Sequence, residues 1–240
     1  MDTSPIRLVW IDVPAGSVTL SAGGYLDAPS TFEVPAFRIA RTPITNAQYA
    51  QFVEAGGYAS ADWWTPTGWL LRERHGWAEP RAWSYARRAI APVMGVSFHE
   101  AVAFCRWLSE TSGEAVTLPT EQQWQRAAQG DDGREFPWGN ADPDDALCNW
   151  ARAYDGPTAV DAFPAGASPF DVLDLCGNAW EWCLTGWETG ATDLDSRERR
   201  VVRGGSWVND SPLTLSVTLR DGPYPPDGYH LCGFRCVHMA

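Results

Sequence analysis

Four histidines and six cysteines are the side chains of this 240-residue chain best suited to metal or nucleophilic chemistry, and their spacing favours neither. His75, His99, His230 and His238 form no H-x-x-x-H pair, and lone histidines so dispersed read as surface or capping residues. Cys105, Cys148, Cys176, Cys183, Cys232 and Cys236 contain no C-x-x-C pair. Cys232 and Cys236 lack the second pair that a zinc site needs. Buried, small and apolar is the expected role for most of these thiols. The stretch RGGSWVNDSPLTLSVTLRDG, residues 203–222, opens on a regular block and then loses pattern, with short polar residues and neither cysteine nor histidine. Catalysis needs a few fixed, converging groups, whereas recognition tolerates a scatter of them.

The elements that must position these residues are partly readable. "IRLVWIDVPAG" and "STFEVPAFRIA" carry β-branched and aromatic residues broken by Pro and Gly, the pattern of short strands. Three capping boxes start helices: Thr45 with Gln48, Ser97 with Glu100, and Thr120 with Gln123. Between the first two lies a segment with Trp63, Trp64, Trp69, Trp77 and Trp83 among prolines. Its aromatics either line a surface pocket or cover the core. Beyond residue 130, Gly, Pro, Asp and Asn punctuate the chain every few residues and predict loops. No composition break or internal repeat divides it, so residues 1–240 read as a single domain.

Composition narrows the partners. A net charge of −12 argues against nucleic acid, which wants a basic face, and against an anionic membrane surface. All eighteen basic residues are arginine, which reads as a GC-rich genome. The apolar fraction of 45% supplies a real core, and most of the fourteen tryptophans belong in it or in pocket walls. Met1 to Pro5 have neither the basic nor the apolar region of a signal peptide, and no apolar run approaches a membrane span. The expected location is cytoplasmic, with reduced cysteines.

Several blocks stand in fixed order: RTPITNAQYAQFV, PVMGVSFHEAVAFCRWL, TLPTEQQWQRAAQG, FPWGN, FDVLDLCGNAWEWC, RVVRGGSW and GFRC. Together they resemble the formylglycine-generating-enzyme (sulfatase-modifying-factor) family from about residue 8 to the end. The resemblance implies an α+β fold: an irregular, loop-rich C-type-lectin-like domain with few helices and short antiparallel strands. It also implies structural calcium. One ion would be held by the Asp174 carboxylate, the Gly177 and Ala179 carbonyls and the Glu181 carboxylate. A second would use Asn149, the Trp150 carbonyl, Asp155 and a carbonyl near Pro157. Calcium takes six to eight oxygens, including carbonyls offered by tight loops, so the DLCGNAWE stretch suits it chemically.

Family members that make formylglycine carry two copper-holding cysteines just after the Gly-Gly-Ser-aromatic block; soft thiolates suit Cu(I). Here those positions are Asn209 and Thr214, so no copper and no formylglycine chemistry are expected. The GGY…WW…GW…PRAW…PV stretch is similar to hercynine-type iron oxygenases, whose three iron-binding histidines have no match here. A third branch, the variable proteins of diversity-generating retroelements, concentrates adenine-directed substitutions between the Gly-Gly-Ser-Trp block and Gly-Phe-Arg. From Val208 to Cys232 this chain has no Glu, Gln, Lys, Met or Trp, the five residues that mutated AAC or AAT codons cannot yield.

The preferred reading is therefore a non-catalytic protein that binds a protein or other macromolecule through residues 208–232, as a variable protein does. Its candidate contacts are Val208, Asn209, Asp210, Ser211, Thr214, Ser216, Thr218, Asp221, Tyr224, Tyr229, His230 and Leu231, a mixture of rigid aromatic area and adaptable hydrogen bonding. The alternative is a metal-dependent oxidase or oxygenase of the same superfamily with other chemistry, using Asp210, Asp227, His230 and Cys232. Those four form no recognisable nucleophile–base–orienter set.

Overall fold

The computed structural model describes residues 6–223 and 230–238. Its strands are short and its helices few. Strands β1 (Trp10–Val13) and β4 (Phe37–Ala40) pair antiparallel, and β4 then pairs with β9 (Val237–His238), which pairs with β5 (Val116–Thr117). A hairpin, β2 (Gly16–Leu20) with β3 (Ser30–Val34), stands beside this sheet. The third sheet centres on β6 (Trp180–Gly186), which has β7 (Arg200–Arg203) antiparallel on one side and β8 (Cys232–Gly233) parallel on the other. Every other strand pair among the described residues is antiparallel, as the family resemblance implies.

All three capping boxes form as the sequence predicts. They start α1 (Asn46–Glu54), α3 (Phe98–Ser112) and α4 (Glu121–Gln129), and in each the cap side chain accepts from the third backbone N–H while Gln or Glu reaches back. A further helix, α2 (Pro66–His75), was not foreseen. Thr65 caps it, Pro66 occupies its first turn, and Gly76 closes it in the left-handed conformation at φ +63°. Its signals are a proline where proline is tolerated and a glycine where the chain must reverse hand. The surrounding tryptophans and prolines hid the apolar stripe.

The tryptophan segment is chiefly core. Trp64 and Trp77 are buried with Tyr49, Phe52, Phe104 and Trp182, while Trp63, Trp69 and Trp83 pack against that cluster from its edge. Within it, Tyr49 shares a hydrogen bond of 3.0 Å with Tyr58, whose hydroxyl donates to the buried Glu100. All six cysteines are buried and unbridged; Cys105 and Cys236 lie with their sulfurs 3.8 Å apart.

Buried arginines join the elements. Arg235 donates to both oxygens of Glu181, at 2.7 Å each, and to the Leu173 and Asp174 carbonyls. Arg220 grips Glu121 through Nε at 2.7 Å and Nη2 at 2.9 Å, and reaches the Ser21 and Gly23 carbonyls. Each guanidinium matches a carboxylate bidentately, the geometry that makes an ion pair tolerable in a dry interior. Through Arg220 the C-terminal segment is fastened to α4 and to the end of the β2–β3 hairpin.

Candidate binding surface

Residues 203–222 leave β7 and cross the surface in three steps. Ser206 and Asn209 close a turn: the Asn209 Oδ1 accepts from the Ser206 N–H and Oγ, each at 2.8 Å. The next residues lie against the 150–152 turn, with the Ala151 N–H donating to Asn209 O and the Arg152 N–H to Trp207 O, each at 2.8 Å. A four-residue helix, α5 (Pro212–Leu215), follows, with Leu215 plugged into the core and Leu213 turned out at 70% exposure. Val217 then docks on the Glu135 carbonyl, and Arg220 anchors the end.

This path sorts the sequence-derived contacts. Val208, Asp210, Ser211, Thr214, Thr218, Asp221 and His230 reach the surface wholly or in part. Tyr224 and Tyr229, with Asp227 of the alternative reading, lie outside the described residues. Three candidates serve the scaffold instead. Asn209 spends its carbonyl oxygen on the Ser206 turn. Ser216 is 7% exposed and shares a hydrogen bond with Thr218. Leu231 packs with Trp207 on Ala82, Met94 and Ala179. Ser216 and Thr218 line a cleft of about 530 Å³ with Ser21, Arg134, Glu135 and Leu219.

Three of the four groups of the alternative reading lie among the described residues. Asp210 and His230 are exposed, Cys232 is fully buried, and no hydrogen bond joins them. Burial pushes the Cys232 thiol well up, away from the reactive thiolate. Among the described residues no three His, Cys, Asp or Glu side chains group as metal ligands do.

The implied calcium ligands fit in part. The DLCGNAWE loop is as tight as expected, with left-handed backbone at Asp174, Gly177 and Asn178. Glu181, however, is committed: Trp124 Nε1 donates to it at 2.8 Å and Arg235 holds both its oxygens. A guanidinium already neutralises it, so Glu181 does not fit. Asp155 does not fit either. Its side chain is fully exposed, and Arg88 takes both its carbonyl and that of Pro157.

Asn149 and Asp174 do fit. The buried Asn149 Oδ1 has no hydrogen-bond partner. Asn149 Nδ2 donates to Asn178 Oδ1 at 3.2 Å, and Asn178 Nδ2 to Asp174 Oδ2 at 2.8 Å. Burial pushes the Asp174 carboxyl up to about 8, opposed by the Asn178 hydrogen bond and the Arg235 charge. An orphaned oxygen and an under-compensated carboxylate linked by one asparagine are what a hard cation would relieve.

Sequence reasoning missed the exposed apolar side chains. Five large ones are exposed among the described residues: Val9, Leu70, Ile90, Tyr154 and Leu213. Leu213 lies on the 207–213 path and lines the cleft of Ser216 and Thr218. Tyr154 lies on the loop that pairs with Trp207 and Asn209, its hydroxyl donating to Asp145 O at 3.1 Å. In "SPLTLSV" nothing separates the outward leucine from the inward one; the short helix and its docking decide it.

Sheets, caps and buried arginines define a lectin-like scaffold carrying a loop surface near its C-terminal end. Residues 8–240 match the sulfatase-modifying factor enzyme 1-like domain, and the chain belongs to that family. It is 33% identical over 220 residues to the hercynine oxygenase of Mycobacterium tuberculosis, covering 80% of this chain and 50% of that protein. It is 32% identical over 194 residues to the inactive C-alpha-formylglycine-generating enzyme 2 of Bos taurus, covering 74% and 59%. The chain thus spans about half the length of the hercynine oxygenases it matches. In fold it is similar to Treponema denticola variable protein 1, with a TM-score of 0.70 at 18% identity, covering 98% of this chain and 96% of that one. Among the described residues no helix is long and apolar enough to cross a membrane.

Proposed function

We propose that this chain is a non-catalytic binding protein that recognises a protein through the 208–218 path, with Leu213 as its exposed apolar anchor, as a variable protein of a diversity-generating retroelement does. The observation that carries the reading is the division of labour within the segment. Asn209, through its hydrogen bonds, and the buried Leu215, Val217 and Arg220 fix the backbone, while Asp210 and Leu213 are exposed and Val208 and Ser211 half-buried. A rigid frame under outward side chains limits the ordering cost of binding, and apolar anchors in a polar rim are the anatomy of a protein interface.

The test is affinity selection against immobilised protein, followed by Leu213→Asp and Leu70→Asp. Leu213→Asp is expected to weaken a selected complex by about 2 kcal/mol or more, roughly thirtyfold, because anchors dominate such interfaces. Leu70→Asp, on α2, is expected to leave it unchanged. Equal losses from both, or from neither, remove the reading.

A second reading rests on the 33% identity to hercynine oxygenase. In it this chain would form the lectin-like half of an oxygen-dependent enzyme, with metal ligands supplied from elsewhere. Stoichiometric iron or copper retained through purification, together with oxygen uptake that depends on hercynine, would move it ahead.

Calcium belongs to the proposal in a narrowed form, with Asp174 kept as a ligand of the first implied ion and Asn149 as a ligand of the second. A ligand that binds only the folded state stabilises by mass action, about 2.7 kcal/mol at a hundredfold excess over Kd. For a chain of this size that raises the melting temperature by about 5–10 °C. Asp174→Ala should abolish the rise, and Asp155→Ala should keep it. A melting temperature indifferent to calcium and chelator removes the ion.

A further inference from the structure

We infer that the partner enters the cleft beside α5 with one basic side chain, an arginine or lysine whose stem lies along Leu213 and Leu219 and whose charge meets Glu135; the inference rests on the binding reading above. The cleft, of about 530 Å³, opens between the 213–220 stretch, the 133–135 turn and the end of the β2–β3 hairpin at Ser21 and Ala22. Three parts of the chain that are distant in sequence thus line one opening, and they are fastened to one another. The Val217 N–H donates to Glu135 O at 2.9 Å, and Arg220 donates to Ser21 O at 2.8 Å. A cleft built into the frame in this way needs little ordering before a ligand enters.

Its walls differ in character. Leu213 at 70% exposure, the half-buried Leu219 and the exposed Ala22 make an apolar side. Glu135, Ser21 and the hydroxyls of Ser216 and Thr218, which share a hydrogen bond of 3.0 Å, make a polar one.

Three charged side chains line the cleft, and two of them are already matched. Arg134 donates to Asp132 at 2.6 and 2.9 Å and to Pro137 O at 2.9 Å. Arg220 is held by Glu121 and by the Ser21 and Gly23 carbonyls. Glu135 is different. Its backbone is engaged, the N–H with Asn140 Oδ1 and the carbonyl with Val217, but its exposed carboxylate has no hydrogen-bond or ion-pair partner among the described residues. The unmatched charge in the cleft is therefore negative.

An apolar wall leading to one unmatched carboxylate fits an amphipathic cation. Arginine and lysine lay their methylene stems along apolar surface while the charged head reaches a polar group. The carboxylate then accepts a charge-assisted hydrogen bond, bidentate where the partner is arginine. An acidic side chain would meet Glu135 as a like charge, and the chain's net −12 favours encounter with a cationic partner in the same sense.

The experiment is selection of a random-peptide display library on the full chain, followed by affinity measurements on the enriched peptides. Each enriched family is expected to carry an Arg or Lys whose replacement by Met weakens binding about tenfold or more, the effect of losing one hydrogen bond between charged groups. Glu135→Gln should weaken the same peptides by a similar factor with an unchanged melting temperature, and should cost the Met-replaced peptides little, because the two changes remove one interaction. Peptides that lose affinity with Leu213→Ala yet carry no basic residue, or bind Glu135→Gln as well as the native protein, overturn the inference and leave the binding reading standing. A selection with no enrichment, or with peptides indifferent to Leu213→Ala, overturns both.

Discussion

Replacing Glu121 by glutamine destabilises the protein by about 3–5 kcal/mol, the usual cost of removing one partner of a buried ion pair. Glu121 is fully buried at the first turn of α4 and accepts two hydrogen bonds from Arg220, with Arg203 Nη1 at 3.5 Å. Arg220 is sandwiched between Tyr25 and Trp187, and Arg203 lies over Trp124, so neither guanidinium can swing out to water. Burial already lowers the Arg203 pKa, with Glu121 opposing it. Glutamine keeps the shape and the Thr185-to-backbone contact but removes the charge that compensates both arginines. Because Arg220 fastens the C-terminal segment to α4, hydrogen exchange should accelerate first at residues 213–222. A Glu121→Gln, Arg220→Gln double variant should cost less than the sum of the two singles, since the removed groups compensate each other. Urea unfolding of the four proteins of that cycle checks it. Additive losses, or a single loss under about 1 kcal/mol, would show that the pair is not the anchor.

The sequence disclosed this anchor only in part, and the reason is physical. Local signals act over three or four residues: Thr45–Gln48, Ser97–Glu100 and Thr120–Gln123 are self-contained caps, and each starts a helix where expected. The family blocks are likewise local strings with a fixed order. Glu121 and Arg220, by contrast, are 99 residues apart, and Glu181 and Arg235 are 54 apart. No periodicity links them, so Glu181 reads as a free oxygen ligand until the fold places a guanidinium on it. Asp155 fails in the same way: the loop around it brings in Arg88 from the far side of the tryptophan segment. The 208–218 path was legible as a region, because RGGSW and GFRC bracket it. Which residues face out was not, because that depends on α5 and on Val217 docking at Glu135.

His99 should make the protein lose stability in mild acid. It sits in the first turn of α3 at 1% exposure, and neither ring nitrogen has a hydrogen-bond partner. Gly68 of α2 packs against it, so closely that an added Cβ would lie 3.1 Å from the His99 Cβ. Burial, then the Arg200 charge, hold its pKa down to about 4 from an ordinary 6.5; Asp195 opposes and Arg197 assists. A histidine whose folded pKa lies below its unfolded value binds its proton more readily once unfolded. Its contribution is therefore intact above about pH 6.5, declines as pH falls toward 4, and is constant below. The full drop is up to about 3 kcal/mol, at 1.36 kcal/mol per unit. Asp195 does not blur the window. Its carboxyl accepts from the Thr67 N–H at 2.7 Å, and its pKa lies below the ordinary 3.8, so most of its own loss falls below pH 4. Urea titrations at pH 7, 5 and 4 on the native protein and on His99→Leu separate the two. Leucine has no proton to gain and leaves no nitrogen unpartnered, so at pH 7 the variant should be about as stable as the native protein or more so. Between pH 7 and pH 5 the native protein should lose about 2 kcal/mol relative to the variant, while the raised Asp174 carboxyl, common to both, adds stability to each as pH falls. Parallel losses in the two proteins would mean that other groups, not His99, carry the acid sensitivity.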